Sequence, residues 1–354
     1  MKAKSDLIRM LPDLKGLAQR LEEEPETIIP PGMGIELPKP TGGLEGLEMP
    51  MGAAPPSPLA ETWLSAATRA ARKLADHGPG AELTPEEGRS LEAIVLLQGR
   101  PPLLIMGGHF ATPPTEWAVL ESHRSAIEAL FPSVGRIELT GHPSYEWVGT
   151  GFLVADSVLM TNRHVAEVFC QMVQYRRWVF KPGMTARVDY VEELGAPKPA
   201  EFTLTRVIGV HETHDMSLFR VARTSGSGAK RPAPLAVASK YPGAEEGRQV
   251  FTIGYPAWDG YRNDPTEMMR IFSNIFSVKR LQPGEIKDMA APPGGFTHDC
   301  STLGGNSGSC VIDLETKQVV GLHYGGKYLT GNSAIALWKL TDDPLLKKAK
   351  VNFV

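Results

Sequence analysis

The chain has 354 residues, of which 42% are hydrophobic and 22% are charged. These values are ordinary for a soluble globular protein, and the length allows more than one hydrophobic core. The net charge of −3 excludes the strongly basic field that recruits nucleic acid or an anionic membrane. No apolar run approaches the length that crosses a bilayer. We therefore expect neither a nucleic-acid partner nor a membrane partner.

The N-terminus and the cysteines predict the compartment. Charges and Pro12 interrupt the first apolar residues, so no signal-peptide core forms. Cys170, Cys300 and Cys310 form no CxxC pair, which argues against a structural zinc site. Three scattered cysteines fit a reducing compartment better than a disulfide-rich secreted protein, although a Cys300–Cys310 bridge stays open. We expect a cytoplasmic protein without cofactor or metal.

Composition divides the N-terminal third into a helical segment, a linker and a second helical region. Leucines at helical spacing predict an amphipathic helix over residues 13–24. Nine prolines and six glycines then predict an extended linker. The predicted segments are residues 1–24, residues 25–58 and, as a regulatory or docking region, residues 59–132.

The second helical region has its own start signals. A helix is predicted from about residue 59 to about His77. The next helix begins at Thr84, which can form a capping box with Glu87, and runs to Leu97. A strand over residues 102–106 and a third helix after Pro114 follow. That helix has large apolar residues at core spacing, namely Trp117, Leu120, Ile127 and Leu130.

From about Val134 the pattern changes to short strands separated by Gly, Pro and Asn. Regularly spaced short strands without long helices between them predict an all-β barrel or sandwich. Roughly 220 residues remain, enough for two small barrels. The predicted strands include Gly135–Leu139, Val148–Val154, Phe202–Val207, Ser217–Val221, Val250–Gly254 and Val319–His323.

Three polar segments of this region carry candidate catalytic residues. A strand hairpin ends in a small polar turn that presents His164, Asp215 stands at the mouth of an alternating strand, and Ser307 lies in a glycine-framed loop. A serine hydroxyl needs a base to take its proton, and a carboxylate must hold that imidazole in the correct tautomer. Asp189 is an alternative acid. The oxyanion needs converging backbone donors, for which we expect the N–H groups of Gly305 and Ser307.

The chain order of these residues discriminates between classes of hydrolases that use a catalytic triad. His precedes Asp, which precedes Ser, whereas α/β-hydrolases have the order Ser, Asp, His and subtilisins the order Asp, His, Ser. Each residue also has a structural interpretation of its own, since a lone histidine or a serine in a glycine-rich turn is common. The coincidence of all three in order favours catalysis.

The motifs together resemble the trypsin-like (chymotrypsin-fold) serine protease superfamily, and most closely its bacterial glutamyl endopeptidase branch. The resemblance implies two perpendicular six-stranded antiparallel β-barrels with the triad between them, in a protease domain over residues 133–354. It says nothing about residues 1–130. The matching motifs are Thr161–Val165, His214–Leu218, Ser301–Ser309 and Gly321–Gly326.

Two features depart from animal trypsins. Asn306 stands where those enzymes have an aspartate that pairs with a newly cut terminal ammonium, and a neutral amide cannot make that ion pair. The bacterial branch commonly has Asn at this position, so we expect catalysis without that switch. The long N-terminal region is absent from the secreted relatives.

The same resemblance predicts a specificity pocket. Its walls are Ser301, Thr302, His323, Tyr324 and Gly325. A preference for Lys or Arg needs a carboxylate at the pocket base, where Ser301 stands, and Asp299 is expected outside the base. By resemblance, Thr302 and His323 would hold a substrate carboxylate. The alternative is that His323 bonds within the barrel core and the pocket takes small or apolar residues. We expect structural or surface roles for the other histidines near the motifs, which are His211, His214 and His298.

These observations favour a serine endopeptidase that acts on protein substrates. Residues 1–132 could dock a regulatory protein partner. The competing hypothesis is a protease-fold binding or adaptor module whose N-terminal region recruits partners.

Overall fold

The structure is a computed structural model, and the chain divides into two compact units. One contains Met1–Gly99 and Asn263–Ile275, and the other contains Arg100–Arg262 and Phe276–Val354. The predicted linker lies outside the described residues except for its last residue, Pro58. The structure describes residues 14–23, 58–88, 90–91, 99–196, 198–241, 243, 247–258, 271–273, 275–289, 293–327 and 331–354.

The first unit contains the two predicted helices α1 (Leu14–Glu23) and α2 (Pro58–His77), which pack against each other. Residues 85–88 are helical, and the capping box is confirmed. The Thr84 N–H donates to Glu87 Oε2 at 2.9 Å, and the Glu87 N–H donates to Thr84 Oγ1 at 3.1 Å. Residues 92–98 of the predicted second helix lie outside the described residues. No described helix is long and apolar enough to span a membrane.

The second unit contains two closed antiparallel six-stranded barrels, as predicted. The strands of the first barrel are β3 (Val134–Thr140), β4 (Trp147–Ala155), β5 (Val158–Thr161), β8 (Thr185–Asp189), β9 (Glu201–Val210) and β10 (Ser217–Val221), with the separate hairpin β6 (Cys170–Val173) and β7 (Arg177–Phe180). Their order in the barrel is β10-β5-β4-β3-β8-β9. Alternate side chains fill the interior, with Ile137, Leu153 and Phe219 fully buried.

The strands of the second barrel are β11 (Gln249–Gly254), β12 (Arg280–Asp288), β13 (Gly295–His298), β14 (Cys310–Asp313), β15 (Val319–Lys327) and β16 (Gly331–Ala336). Their order is β11-β14-β15-β16-β13-β12, and the barrel closes through pairing of β11 with β12. Two earlier strands, β1 (Leu103–Met106) and β2 (His109–Phe110), extend this sheet, because β1 pairs with β12 at Leu103↔Leu281.

Short helices complete this unit. The predicted third helix is broken into a 3-10 turn at Thr115–Trp117 and the short helices α3 (Val119–Ser122) and α4 (Arg124–Glu128). The Leu120 carbonyl bonds the His123 N–H at 3.1 Å, and the chain turns there. The remaining helices are α5 (Arg163–Phe169) and α6 (Pro344–Ala349).

One apolar core joins both barrels. It contains Phe152 and Met160 from the first barrel and Phe251 and Leu322 from the second. The catalytic candidates are thus carried by a single packed body. The three cysteines are free and buried, so the Cys300–Cys310 bridge does not form.

Candidate active site

His164 lies in the first turn of helix α5, at the end of strand β5. The sequence predicted a simple polar turn at this place, and the structure corrects this to a helix start. Asn162 is the N-cap residue, but its side chain does not cap the helix. Its Nδ2 donates instead to the carbonyl of Asp215 at 2.9 Å. The segment that carries the histidine is therefore tied to the segment that carries the acid.

His164 binds Asp215 through two hydrogen bonds. Its Nδ1 lies 2.6 Å from Asp215 Oδ2, and its backbone N–H donates to Oδ1 at 2.9 Å. Burial alone would raise the pKa of Asp215, but the bonds from the His164 side chain and backbone hold it below its ordinary value. The carboxylate therefore stays ionised at neutral pH and favours a proton on Nδ1 of the imidazole.

Asp189, the alternative acid, has other partners. Its Oδ1 accepts the N–H groups of Val191 and Ala200 at 2.8 and 2.9 Å, at the end of strand β8. It is buried and makes no described hydrogen bond to His164. The geometry therefore favours Asp215 as the acid.

The Ser307 loop is held by both barrels. The Thr150 N–H of strand β4 donates to the Ser307 carbonyl at 2.9 Å. The Gly308 N–H donates to the carbonyl of His323, in strand β15, at 3.0 Å. Gly308 has a φ of 90°, and a Cβ there would lie 2.0 Å from the Thr150 carbonyl oxygen. Only glycine fits this approach.

Ser307 and the His164 helix meet at Gly149. A methyl group on Gly149 would lie 2.9 Å from the Ser307 carbonyl and 3.0 Å from Cγ2 of Val165, the residue after His164. Among the described contacts, no hydrogen bond joins the Ser307 hydroxyl to His164. Nucleophile–base bonds in free enzymes are often long and tighten when substrate binds.

The backbone N–H groups at this loop alternate between bonded and open. The Asn306 N–H donates to the Leu303 carbonyl at 3.2 Å, and the Gly308 N–H is also bonded. The N–H groups of Gly305 and Ser307 have no partner among the described residues. Gly305 has a φ of 86°, a conformation that allows alternate N–H groups to point the same way. These two donors are the pair expected for an oxyanion hole.

The Asn306 side chain is fully buried. Neither its Oδ1 nor its Nδ2 has a hydrogen-bond partner among the described residues. A Cβ on Gly254 would lie 2.3 Å from this Oδ1, so the amide packs closely against strand β11. Asn306 is therefore held by packing, without a charged partner in the part of the chain that the structure describes.

Among the residues that the structure describes, no free carboxylate lies at the base of the predicted specificity pocket. Ser301 Oγ donates to the carbonyl of Arg100 at 2.7 Å. Asp299 is bound by the Arg100 guanidinium, with Nε 2.6 Å from Oδ1, and by Lys287 at 2.9 Å. Burial would raise the pKa of Asp299, but these cations hold it below its ordinary value. Because two cations already neutralise Asp299, this carboxylate does not support selection of Lys or Arg in a substrate.

Thr302 has an internal partner. Its hydroxyl donates to Asn332 Oδ1 at 2.6 Å, and Asn332 Nδ2 donates to the Cys300 carbonyl at 2.6 Å. A hydroxyl has one proton, so Thr302 can donate to a substrate carboxylate only after it leaves Asn332.

His323 is buried and paired with His298. Nδ1 of His323 lies 3.2 Å from Nε2 of His298. Burial lowers the pKa of His298 to about 4. Burial also lowers the pKa of His323 well below its ordinary value, and the nearby His298 and His164 lower it further. Both rings are therefore neutral at neutral pH. The sequence pattern did not place His298 in the pocket. Its contact with His323 depends on the order of strands in the barrel, which the pattern does not give.

Tyr324 and Gly325 follow His323 in strand β15. The register with β16 shifts between His323 and Gly325, so Tyr324 occupies a β-bulge. A methyl group on Gly325 would meet no atom within 4 Å, so the face of the strand is open at this residue.

Other features of the molecule lie apart from these residues. In the part of the chain that the structure describes, no group of three His, Cys, Asp or Glu side chains could hold a metal ion. A cavity of about 420 Å³ is lined by residues that include Tyr190, Glu193 and Lys230, and by none of the triad candidates. It is not the candidate active site.

Comparisons with known proteins agree with this geometry. Residues 149–322 match the trypsin-like peptidase domain family. The matched segment contains His164, Asp215 and Ser307 and supports a trypsin-like serine protease with a chymotrypsin-like fold. No curated protein sequence matches the chain.

Solved structures give a weaker likeness. The active form of the Rv3671c protease from M. tuberculosis is 21% identical, with 64% of this chain and 84% of that chain covered and a TM-score of 0.41. An inactive form of the Rv3671c protease is 20% identical, with 68% and 98% covered and a TM-score of 0.39.

Proposed function

We propose that the protein is a serine endopeptidase in which Ser307 is the nucleophile, His164 the general base and Asp215 the orienting acid. The observation that carries this proposal is the pair of hydrogen bonds from His164 to Asp215, in which one residue engages both carboxylate oxygens. Ser307 attacks the scissile carbonyl and passes its proton to His164, which then protonates the leaving amine. The N–H groups of Gly305 and Ser307 stabilise the oxyanion, and water hydrolyses the acyl-enzyme.

A fluorophosphonate probe tests this assignment on the full chain. Wild-type protein and the Ser309→Ala variant should be labelled, because Ser309 lies in the same loop and is buried. Ser307→Ala should not be labelled, and protein N-terminal sequencing of a proteome treated with wild type and Ser307→Ala should reveal new termini only with wild type. An unlabelled wild type would favour the binding or adaptor module instead.

We propose further that the enzyme cuts after Glu or Asp, as in the glutamyl endopeptidase branch. His323 would donate a hydrogen bond from its Nε2–H to the substrate carboxylate, and the bound charge would draw a proton onto the ring. Thr302 would supply a second donor after exchanging its bond to Asn332. The occupied carboxylate of Asp299 supports the exclusion of basic residues from the pocket.

We propose that residues 1–132 regulate the protease or dock a partner. Support comes from the last part of this region, because strand β1 extends the second barrel and the Arg100 carbonyl accepts a hydrogen bond from Ser301 of the pocket base. The test inserts a specific protease site within residues 25–58 and compares peptide turnover before and after the cut. Unchanged turnover, with or without a cell extract, would contradict this role.

We propose that the protein is cytoplasmic. The free, buried cysteines support a reducing compartment.

A further inference from the structure

The loop that carries Asp215, residues 211–216, is built around the imidazole of His211. Its Nδ1 accepts the backbone N–H groups of Thr213 and His214 at 3.1 and 3.0 Å. A backbone N–H can only donate, so Nδ1 must carry no proton. The neutral ring therefore holds its proton on Nε2, which lies 2.9 Å from Asp343 Oδ2.

Asp343 fixes two elements with its two oxygens. Oδ1 accepts the N–H groups of Leu345 and Leu346 at 2.9 and 3.1 Å and caps helix α6. Oδ2 accepts from His211. Burial would raise the pKa of Asp343, but its bonds to His211 and to the helix hold it below the ordinary value. The side chains of His211 and Asp343 are each only 12% exposed, so water competes little for this bond.

The opposite side of the loop is bound by the segment that carries the base. The guanidinium of Arg163 donates to the carbonyls of His211 and His214. The Met216 N–H donates to the His214 carbonyl at 2.8 Å, and the His211 N–H donates to the Met216 carbonyl at 2.9 Å. The loop conformation that presents Asp215 to His164 thus depends on the hydrogen bonds that Nδ1 of His211 accepts and on the one that its Nε2–H donates.

We propose that His211 and Asp343 are positioning residues for Asp215, and that their tautomer-specific bond sets the loop conformation that turnover requires. This inference rests on the proposed function, because the pair acts on catalysis through Asp215. It places a second imidazole–carboxylate pair behind the triad, with the proton on Nε2, whereas in the triad it is on Nδ1. The C-terminal helix is thereby coupled to the acid of the active site.

The variant Asp343→Asn isolates this coupling. An Asn oxygen still caps helix α6, since Asn is as good a cap as Asp. Its NH₂ group then faces Nε2 of His211 and drives the proton onto Nδ1, where it opposes two N–H donors. We expect kcat and the rate of fluorophosphonate labelling to fall about 10- to 100-fold with KM little changed, the usual effect of losing a charged hydrogen bond. Asp342→Asn is the matched control, because Asp342 is exposed and binds only Lys347 among the described residues.

Three further variants separate positioning from folding. In His211→Asn the amide oxygen can still accept from the loop but cannot reach Asp343, so it should retain more activity than His211→Ala. Asp343→Asn added to His211→Asn should cause no further loss, because the bond is already absent. Nitrogen NMR of the Ser307→Ala protein should show the Nε2–H tautomer of His211 and its loss in the Asp343→Asn background.

The outcomes distinguish the inference from the proposed function. Full kcat in Asp343→Asn, or an unchanged His211 tautomer, overturns the inference and leaves the serine protease in place. The inference is also overturned if the variants lose activity only in proportion to a fall in their melting temperature. A wild type that does not react with the probe overturns the proposed function and the inference together.

Discussion

The backbone N–H and the imidazole of His164 bind different oxygens of Asp215, at 2.9 and 2.6 Å. The backbone bond has a consequence for Asp215→Asn. Since an N–H can only donate, the Asn oxygen must stay at Oδ1, and the NH₂ group must face Nδ1 of the imidazole. His164 would then carry its proton on Nε2 and could not accept one from Ser307.

We therefore expect Asp215→Asn to lower kcat by about 10⁴-fold, as the same change does in a well-studied triad, with the fold retained. Peptide turnover and circular dichroism measure the two parts. A small kinetic effect would point to another acid, and Asp189→Asn is then the next variant to assay.

Gly308→Ala should unfold the Ser307 loop. A Cβ at this position would lie 2.0 Å from the Thr150 carbonyl oxygen and 2.3 Å from Thr161 Oγ1, at a φ of 90°. We expect a loss of more than about 3 kcal/mol in the free energy of unfolding and no probe labelling. Gly228→Ala is the control, because its φ is 85° but no atom lies within 4 Å. It should cost about 1–2 kcal/mol, and equal losses in a urea titration would argue against the steric account.

His323→Ala should abolish a preference for Glu or Asp before the scissile bond. The ring is buried in the proposed pocket, and its Nδ1 lies 3.2 Å from Nε2 of His298. A site that loses a donor for a buried carboxylate loses at least about 10-fold in kcat/KM for that substrate. Peptide-library profiling of wild type, His323→Ala and His298→Ala measures this, with a partial loss expected for His298→Ala. Wild-type cleavage after Leu, Ala or Arg would rule out the acidic pocket.

Lys279 should make stability depend on pH. Its Nζ donates to the carbonyls of Phe131 and Tyr190 at 2.9 and 2.6 Å, and burial lowers its pKa to about 8. The unfolded chain, with a lysine pKa of about 10.4, binds more protons between these values, so stability rises as pH increases through this window.

The free energy of unfolding of wild type, relative to Lys279→Met, should therefore increase by about 2–3 kcal/mol between pH 7 and pH 10.5. Exposed Lys230→Met is the matched control. A difference between wild type and Lys279→Met that does not change with pH would mean that the buried lysine keeps its ordinary proton affinity.

The sequence by itself determined the local features of this protein. The Thr84–Glu87 capping box spans one helical turn, and strand Ser217–Val221 has the bounds that the sequence predicted. Residue type and chain order were enough to nominate His164, Asp215 and Ser307 as a triad, because the chemistry of acyl transfer restricts both.

Only the tertiary structure decided which distant groups meet. Arg100 binds Asp299 across 199 positions of sequence, and His211 binds Asp343 across 132. His298 reaches His323 because strands β13 and β15 both flank β16 in the closed barrel. Such contacts depend on strand order and register, and these are set by the packing of whole sheets rather than by neighbouring residues. The occupied Thr302 hydroxyl and the neutral histidine pair of the pocket are therefore properties of the fold.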